Sequence, residues 1–345
     1  MKEKVEKFNL QLLDIVLIAD RTFSNHELSN IEGNELEMIS NEYFEDIFNS
    51  LTKICRNVVH YQSPKELIDN AHKHKEDLVV TIFGGKDSRN RMALVPAICE
   101  SYGIKFVGAD VYARIVCQDK FLSKEFARRF NIKSPDSILI DSNSPYVAIE
   151  NLNLPLVVKP NFEGSSIGIK DNSKVNSFSD ALEMISLLKK GFDSILVEEF
   201  ISGKEVCICI VGNKNNIRMF DVMEVYFEED ETFLYNRIYS AREKHLTNKS
   251  MNHRNITEEL NPNQQKSILD LFHALGKADY MRIDGRINTE GFSLIELTPD
   301  GYLGSDSSFA DACKNRNISY ENLLIMIINT ALDGYHIPYS NYKGN

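Results

Sequence analysis

The stretch from residue 77 to residue 107 restricts the fold most. DLVVTIF, an apolar run of strand length, ends at Gly84-Gly85, a helical pattern follows to Tyr102, and a second short apolar run spans Ile104 to Val107. Continuous apolar runs of this kind suit strands covered on both faces, which places the first third of the chain in the α/β class. The same alternation precedes it. Leu12 to Ile18 reads as a strand, and Leu36, Ile39, Tyr43, Phe44, Ile47, Phe48 and Leu51 recur at helical spacing. Ligands of such sheets sit at the carboxyl ends of the strands, so the turn GGKDSRNR, with Arg89 and Arg91, is a candidate contact.

Beyond this unit the pattern changes. Helical stretches cover Val111 to Cys117 and Lys120 to Phe130, and Pro135 with the polar run DSNSP predicts a boundary near 135 to 145. The strand PLVVKP, a Gly/Ser turn and a capped helix from Ser177 to Lys190 come next. The apolar runs ILVEEF, VCICIVG and IRMFDVMEVYF then predict antiparallel α+β structure. Residues 227 to 263 are charged and lack a period, which reads as a lid loop. An amphipathic helix near Gln265 to Lys277, a hairpin from Met281 to Leu297 and a helix from Glu321 to Leu332 close the chain. With 345 residues, 43% of them hydrophobic, the chain suits two or three packed units.

A formal net charge of -11 argues against general affinity for nucleic acid, whose phosphates demand a basic surface. No apolar run reaches the ~18 residues that a membrane helix needs. The opening MKEKVEKFNLQ lacks a signal-peptide core, so the expected location is the cytoplasm, with no membrane contact. None of the six cysteines forms a CxxC pair or a zinc spacing, and all are read as small core residues.

Three segments carry chemistry. In Val157 to Ile169, VVKPNFEGSSIGI, a strand delivers Lys159 and then a turn in which Gly164 and Gly168 allow close backbone approach and Ser165 and Ser166 offer amides and hydroxyls. Such a turn can cover phosphates, although composition alone does not separate it from a surface hairpin. It is neither a Walker A loop nor a GxGxxG turn. In Ile195 to Val206, ILVEEFISGKEV, Phe200 and Ile201 can flank a purine, backbone groups near Glu199 can read its edge, and Glu205 can accept ribose hydroxyls. In Met281 to Glu296, MRIDGRINTEGFSLIE, two strands joined near Thr289 to Gly291 bring Asp284 and Glu296 together. Paired carboxylates need a cation, and magnesium prefers such oxygen ligands. Arg282 lies two residues before Asp284, on the same side of the strand, within reach of a developing oxyanion. Taken singly, the acids of the second and third segments read more plainly as solvated surface pairs.

Together and in this order, the segments resemble the ATP-grasp domain of the D-alanine-D-alanine ligase family over roughly residues 77 to 335. GIKFVGADVYARIVCQDKFLSKEFARRFNIKSP is similar to the family's passage between its first and central domains. The resemblance implies an ATP-grasp fold behind an amino-terminal Rossmann-like domain. It divides the chain into a substrate domain at 1 to 110, a central subdomain at 111 to 200 and a carboxyl-terminal subdomain at 201 to 345. Lys120 and Lys159 are then phosphate lysines, and Glu163, Gly164, Ser165 and Ser166 form the phosphate-covering loop. Glu198, Glu199, Phe200, Ile201 and Glu205 take the adenine and ribose positions. Lys244, in YSAREKHL, approaches the γ-phosphate from the lid, and Arg282 is the oxyanion arginine. Asp284 and Glu296 are ligands of magnesium, or of manganese in its place. The implied reaction phosphorylates a carboxylate with ATP, and an amine then attacks the acyl phosphate. The implied partners are small amino-acid or carboxylate substrates and a second copy in a homodimer, with a carrier protein left open.

This sequence departs from the family in several places. Thr298 stands where the family has an asparagine ligand, with Asp300 as a candidate replacement, and the family's NTxPGM run is shortened around Gly301. The serine that holds the incoming amino acid has no unique counterpart; Ser305, Ser307 and Ser308 lie close by. The family's early glutamate and serine signature is not recognisable, and FGGKDSRNR replaces its histidine, so D-alanine on both sides is not implied. A nucleotide-binding protein without chemistry and an ATP-grasp enzyme acting on a different or carrier-bound substrate are the competing readings.

Overall fold

The computed structural model describes residues 10–21, 39–85, 88–141, 146–164, 167–169, 171–214, 216–238 and 251–335. Its first unit is a parallel sheet of strands β1 (Asp14–Ile18), β2 (Asn57–Tyr61), β3 (Leu78–Thr81) and β4 (Lys105–Phe106) in the order β2-β1-β3-β4. Central β1 is apolar on both faces because both are covered. One face packs with α2 (Pro64–Asn70) and α3 (Leu94–Tyr102) through Val16, Ile18, Leu67, Val79 and Val95. The other packs with α1 (Asn41–Ile54), whose first turn is capped by the Ser40 hydroxyl accepting from the Tyr43 N–H. At the carboxyl ends of the strands, the buried Asp20 carboxylate accepts from the N–H groups of Gly84 and Gly85 at 2.9 and 2.7 Å. That contact ties the end of β1 to the turn after β3.

The second sheet is antiparallel, in the order β5-β8-β6-β7, from β5 (Ser137–Ile140), β6 (Leu156–Pro160), β7 (Lys174–Val175) and β8 (Ile195–Glu199). Helix α6 (Phe178–Leu188), capped by Ser177, closes its core. Strand β5 lies inside the polar stretch read as a boundary, because SILI supplies enough apolar surface to pair with β8 despite its flanks.

The third sheet runs β11-β10-β9-β12-β13, from β9 (Lys204–Asn213), β10 (Asn216–Phe227), β11 (Met251–Asn255), β12 (Tyr280–Asn288) and β13 (Gly291–Thr298). Alternation along β9 decides its two faces. Val206, Ile208 and Ile210 join the core under α4 (Val111–Gln118), α5 (Lys120–Arg128) and α7 (Pro262–Ala274). Cys207, Cys209 and Val211 join the core that α8 (Ser308–Asn315) and α9 (Tyr320–Gly334) share with the first unit. All six cysteines are buried and free, as a core role requires.

Two expectations need correction. The stretch 227 to 263 is not one long loop, since Phe233–Asn236 form a 3-10 turn and β11 pairs antiparallel with β10. MNHRN hid from the sequence reading because polar residues dominate this edge strand. Helix α7 starts three residues earlier than expected. Asn261 and Gln264 form a capping box there, and Pro262, with no N–H to lose, fits the first turn. Among the described residues, no helix is long and apolar enough to cross a membrane.

Candidate active site

Strand register brings the acidic pair together. Antiparallel β12 and β13 place Asp284 opposite Glu296 and Arg282 opposite Thr298, so all four side chains stand on one face. Arg282 grips Asp284 with two parallel bonds, 2.7 Å from Nε and 2.9 Å from Nη2, and the Thr298 hydroxyl lies 3.4 Å from the same carboxylate. Burial works against the Arg282 charge, but the Asp284 carboxylate outweighs it and pushes the guanidinium pKa above its ordinary value.

Immediately after Asp284 the ladder slips, and Gly285 pairs with Leu294. A side chain on Gly285 would place its Cβ 2.3 Å from the Phe292 ring and 2.5 Å from the Ser293 carbonyl, so only glycine fits the bulge. Ile295 is the extra residue, and its carbonyl, released from the ladder, accepts from Lys124 Nζ at 2.9 Å.

Helix α5 points two lysines at these strands. Asp119 caps it by accepting from the Leu122 N–H, and Lys120 and Lys124 follow one helical turn apart. Lys120 Nζ lies 2.8 Å from Glu296 and also donates to the Glu163 carbonyl in the turn after β6. Burial raises the Glu296 pKa, but the charge and hydrogen bond of Lys120, with the charges of Lys159 and Arg282, bring the net shift below the ordinary glutamate value. Lys120 thus contacts this carboxylate directly, while Lys159 on β6 and Arg282 on β12 add positive charge to its surroundings.

Lys159 on β6 lies beside Glu198 on β8 and donates to one of its carboxylate oxygens. The other oxygen is 2.9 Å from Lys124 Nζ. The three groups are nearly sealed from solvent, with Glu198 2% exposed, Lys159 3% and Lys124 0%. Burial alone would raise Glu198; the two lysines hold it below the ordinary glutamate range. For Lys124 burial wins, and its pKa falls to about 8. The sequence reading put Glu198 at the adenine and passed over Lys124. The structure assigns the Glu198 carboxylate to an internal ion cluster. The available signal was a lysine in the buried stripe of α5, beside Ser123, Phe126 and Ala127.

Phe200 of the second segment is flanked by cations from β7 and β12. Lys174 Nζ stands 3.6 Å from the centre of that ring and the Arg286 guanidinium 4.9 Å. Arg286 pairs with Glu205 at 2.7 Å and donates to the carbonyls of Gly203, Leu234, Tyr235 and Arg237. Glu199 lies outside this group, where its side chain accepts from the Asn153 backbone and amide at 2.7 and 2.8 Å. Ile201 follows Phe200 directly, half-buried.

Residues predicted to hold substrate are otherwise engaged. Arg91 is buried and pairs with Glu163 at 2.9 Å, and Arg89 stands 5.4 Å from the Phe162 ring, so both meet the turn that carries Glu163 and Gly164. Ser305 donates its N–H and hydroxyl to Asp46 on α1 at 3.0 and 2.8 Å. Ser307 caps α8, and Ser308 accepts from the Cys209 thiol at 3.4 Å. Gly301 passes so close to β12 that a Cβ there would lie 3.0 Å from Arg282 Cβ. Asp300, the candidate replacement ligand, is buried and held by Arg114 at 2.6 and 2.8 Å, which removes it from that role. Ser165, Ser166 and Lys244 lie outside the described residues.

Residues 130–329 match the family model described as D-ala D-ala ligase C-terminus. A D-alanine--D-alanine ligase of Carboxydothermus hydrogenoformans is 27% identical over 298 residues, covering 84% of this chain and 92% of its own. The enzyme of that name from Halalkalibacterium halodurans is 28% identical over 244 residues, covering 69% and 77%. Among solved structures, the D-alanine--D-alanine ligase of Bacillus anthracis complexed with ATP superposes with a TM-score of 0.70 at 19% identity, covering 94% of this chain and 99% of that one. The VanG D-Ala:D-Ser ligase of Enterococcus faecalis gives 0.68 at 21%, covering 93% and 100%. These structural likenesses show the fold, an ATP-grasp arrangement behind an α/β amino-terminal unit, and the family match spans more than half of the sequence. The chain belongs to the D-alanine-D-alanine ligase family.

Proposed function

We propose that the protein is an ATP-dependent, ADP-forming ligase that joins an amino acid or related carboxylate to an amine. The observation that carries this reading is the Lys120–Glu296 ion pair standing beside the Arg282–Asp284 pair on one face of β12 and β13. Fixed cations next to paired carboxylates suit a triphosphate far better than a neutral ligand, and the ATP-bound relative from Bacillus anthracis supports ATP as that ligand.

In this reading the substrate carboxylate attacks the γ-phosphorus. The bond to the ADP oxygen breaks, and Lys120 and Lys159 take up the charge left on the phosphates. The amine then attacks the acyl carbon. Arg282, already oriented by Asp284, stabilises the tetrahedral oxyanion; phosphate leaves and the nitrogen loses its proton. The turn 161–164, held by Arg91 and Lys120, keeps water from the acyl phosphate. Phe200 supplies an apolar face for the base, Glu205 the ribose contact, and Lys244, by the family resemblance alone, a further cation.

Magnesium is part of this proposal. Asp284, Glu296 and Thr298 offer only oxygen donors, and among the described residues no three His, Cys, Asp or Glu side chains form a ready cage. That set fits an ion that keeps waters and draws its other ligands from phosphate oxygens, and such an ion neutralises charge on the triphosphate. We further propose the division into a substrate domain (1–110), a central subdomain (111–200) and a carboxyl-terminal subdomain (201–345), and assembly as a homodimer. Incubation with ATP, magnesium and a panel of D- and L-amino acids should release ADP and phosphate with at least one pair. No release with any pair would refute the ligase.

A further inference from the structure

We infer that Lys124 is a positioning residue for the triphosphate, acting through Glu198 to keep the positive charge of Lys159 available. The inference rests on the nucleotide reading above and concerns a residue that has no place in it. Glu198 carries one negative charge and touches two lysines, one on each carboxylate oxygen. If Lys159 were its sole partner, the two would form a neutral buried pair, and a phosphate would meet a cation already compensated. Lys124 supplies the second positive charge from the side facing α5, so the cluster keeps a net charge of one.

The anchoring of Lys124 agrees with this role. It is fully buried on α5, and its second hydrogen bond goes to the carbonyl of Ile295, the bulge residue before Glu296. A single ammonium group thus links β8 to β13, the strands that carry the inner carboxylate and one of the two outer ones. Lys124 touches none of the reacting groups assigned above, so its effect is indirect, and the charge effect passes through Glu198 to Lys159.

The test is charge balance. Lys124→Met keeps length and apolar volume but removes the charge, leaving Glu198 to be compensated by Lys159 alone. Titration calorimetry with a non-hydrolysable ATP analogue and magnesium, without amino acids, should give a Kd weakened about tenfold or more, the order of effect expected when a preorganised cation is lost. The double variant Lys124→Met/Glu198→Gln removes both charges and should bring the Kd back to within about threefold of the unaltered protein. Removal of two structural groups would leave the double variant no better than the single one, and that result overturns the inference. So does an unchanged Kd in Lys124→Met. Should Lys124→Met not fold, Lys124→Arg and the double variant decide: both near the original Kd support the inference, and a double variant weakened tenfold sinks it. Failure of the unaltered protein to bind the analogue would instead overturn the nucleotide reading itself.

Discussion

The inner rim of the molecule, built from β6, β8, β12 and β13, contrasts with the outer rim formed by the turn after β3, the loop 299–307 and α1. On the inner rim, residues far apart in sequence meet because strand register leaves them little choice. Asp284 faces Glu296, Lys159 lies beside Glu198, and the bulge at Gly285 frees a carbonyl for Lys124. On the outer rim the polar residues hold the protein to itself. Arg91 holds Glu163, Ser305 holds Asp46, Arg114 holds Asp300 and Asp20 holds two glycine amides. The inner rim gathers charges from four strands and α5 into one connected cluster, whereas the outer rim ties its polar groups in separate contacts.

The contrast breaks most directly on the inner rim. Glu296→Gln removes a carboxylate that Lys120 contacts and that Lys159 and Arg282 also act on, and it should lower kcat by ~10³-fold or more, as expected when a preorganised charge at a reacting centre is lost. Lys159→Ala should lower kcat/KM for ATP by ~10²-fold, a somewhat smaller effect because the proposed second phosphate lysine, Lys120, is retained. ADP release measures both, and circular dichroism should show the fold intact. Near-normal turnover in either variant would mean that the acids and lysines are a structural ion network only.

How much of this was legible follows from the same contrast. Strand-borne pairs could be read because a period of two fixes which side chains share a face, so Arg282, Asp284 and Glu296 fall together once the hairpin is recognised. The β-strands of the large sheet were recognisable for the same reason, except polar β11. The fate of Glu198 was not legible. Its neighbour Glu199 has the same chemistry and faces Asn153 at the surface, and only the pairing of β8 with β6 decides which of the two turns inward. Loop-borne residues were least legible. Nothing local in FGGKDSRNR says that Arg91 reaches 72 positions along the chain to Glu163, or that Asp300 meets Arg114 across 186.

Arg91 tests whether the two rims are coupled. Its guanidinium is almost fully buried while Glu163 is partly exposed, so Arg91→Ala should cost about 2 kcal/mol of stability, below the range for a fully buried pair. The turn 161–164 would lose one of its cationic anchors, and KM for ATP should rise roughly tenfold with little change in KM for either amino acid. The opposite split, with amino-acid KM raised and ATP KM constant, would return Arg91 to the substrate role that its sequence position suggests.

The smallest effect belongs to Ser305, and its smallness is the point. The Ser305 hydroxyl and backbone N–H both donate to the same oxygen of Asp46, so Ser305→Ala leaves that carboxylate with the N–H at 3.0 Å and open to solvent. A single exposed hydrogen bond is worth about 1 kcal/mol at most, so the melting temperature should fall by a few degrees or less. KM for the amine substrate should stay within about twofold, because a hydroxyl committed to an internal carboxylate contributes little to holding a second one. A rise of tenfold or more in that KM, at unchanged KM for ATP, would show that Asp46 releases the serine when substrate arrives. The outer rim would then be a site in its resting state, and the division drawn between the two rims would fail.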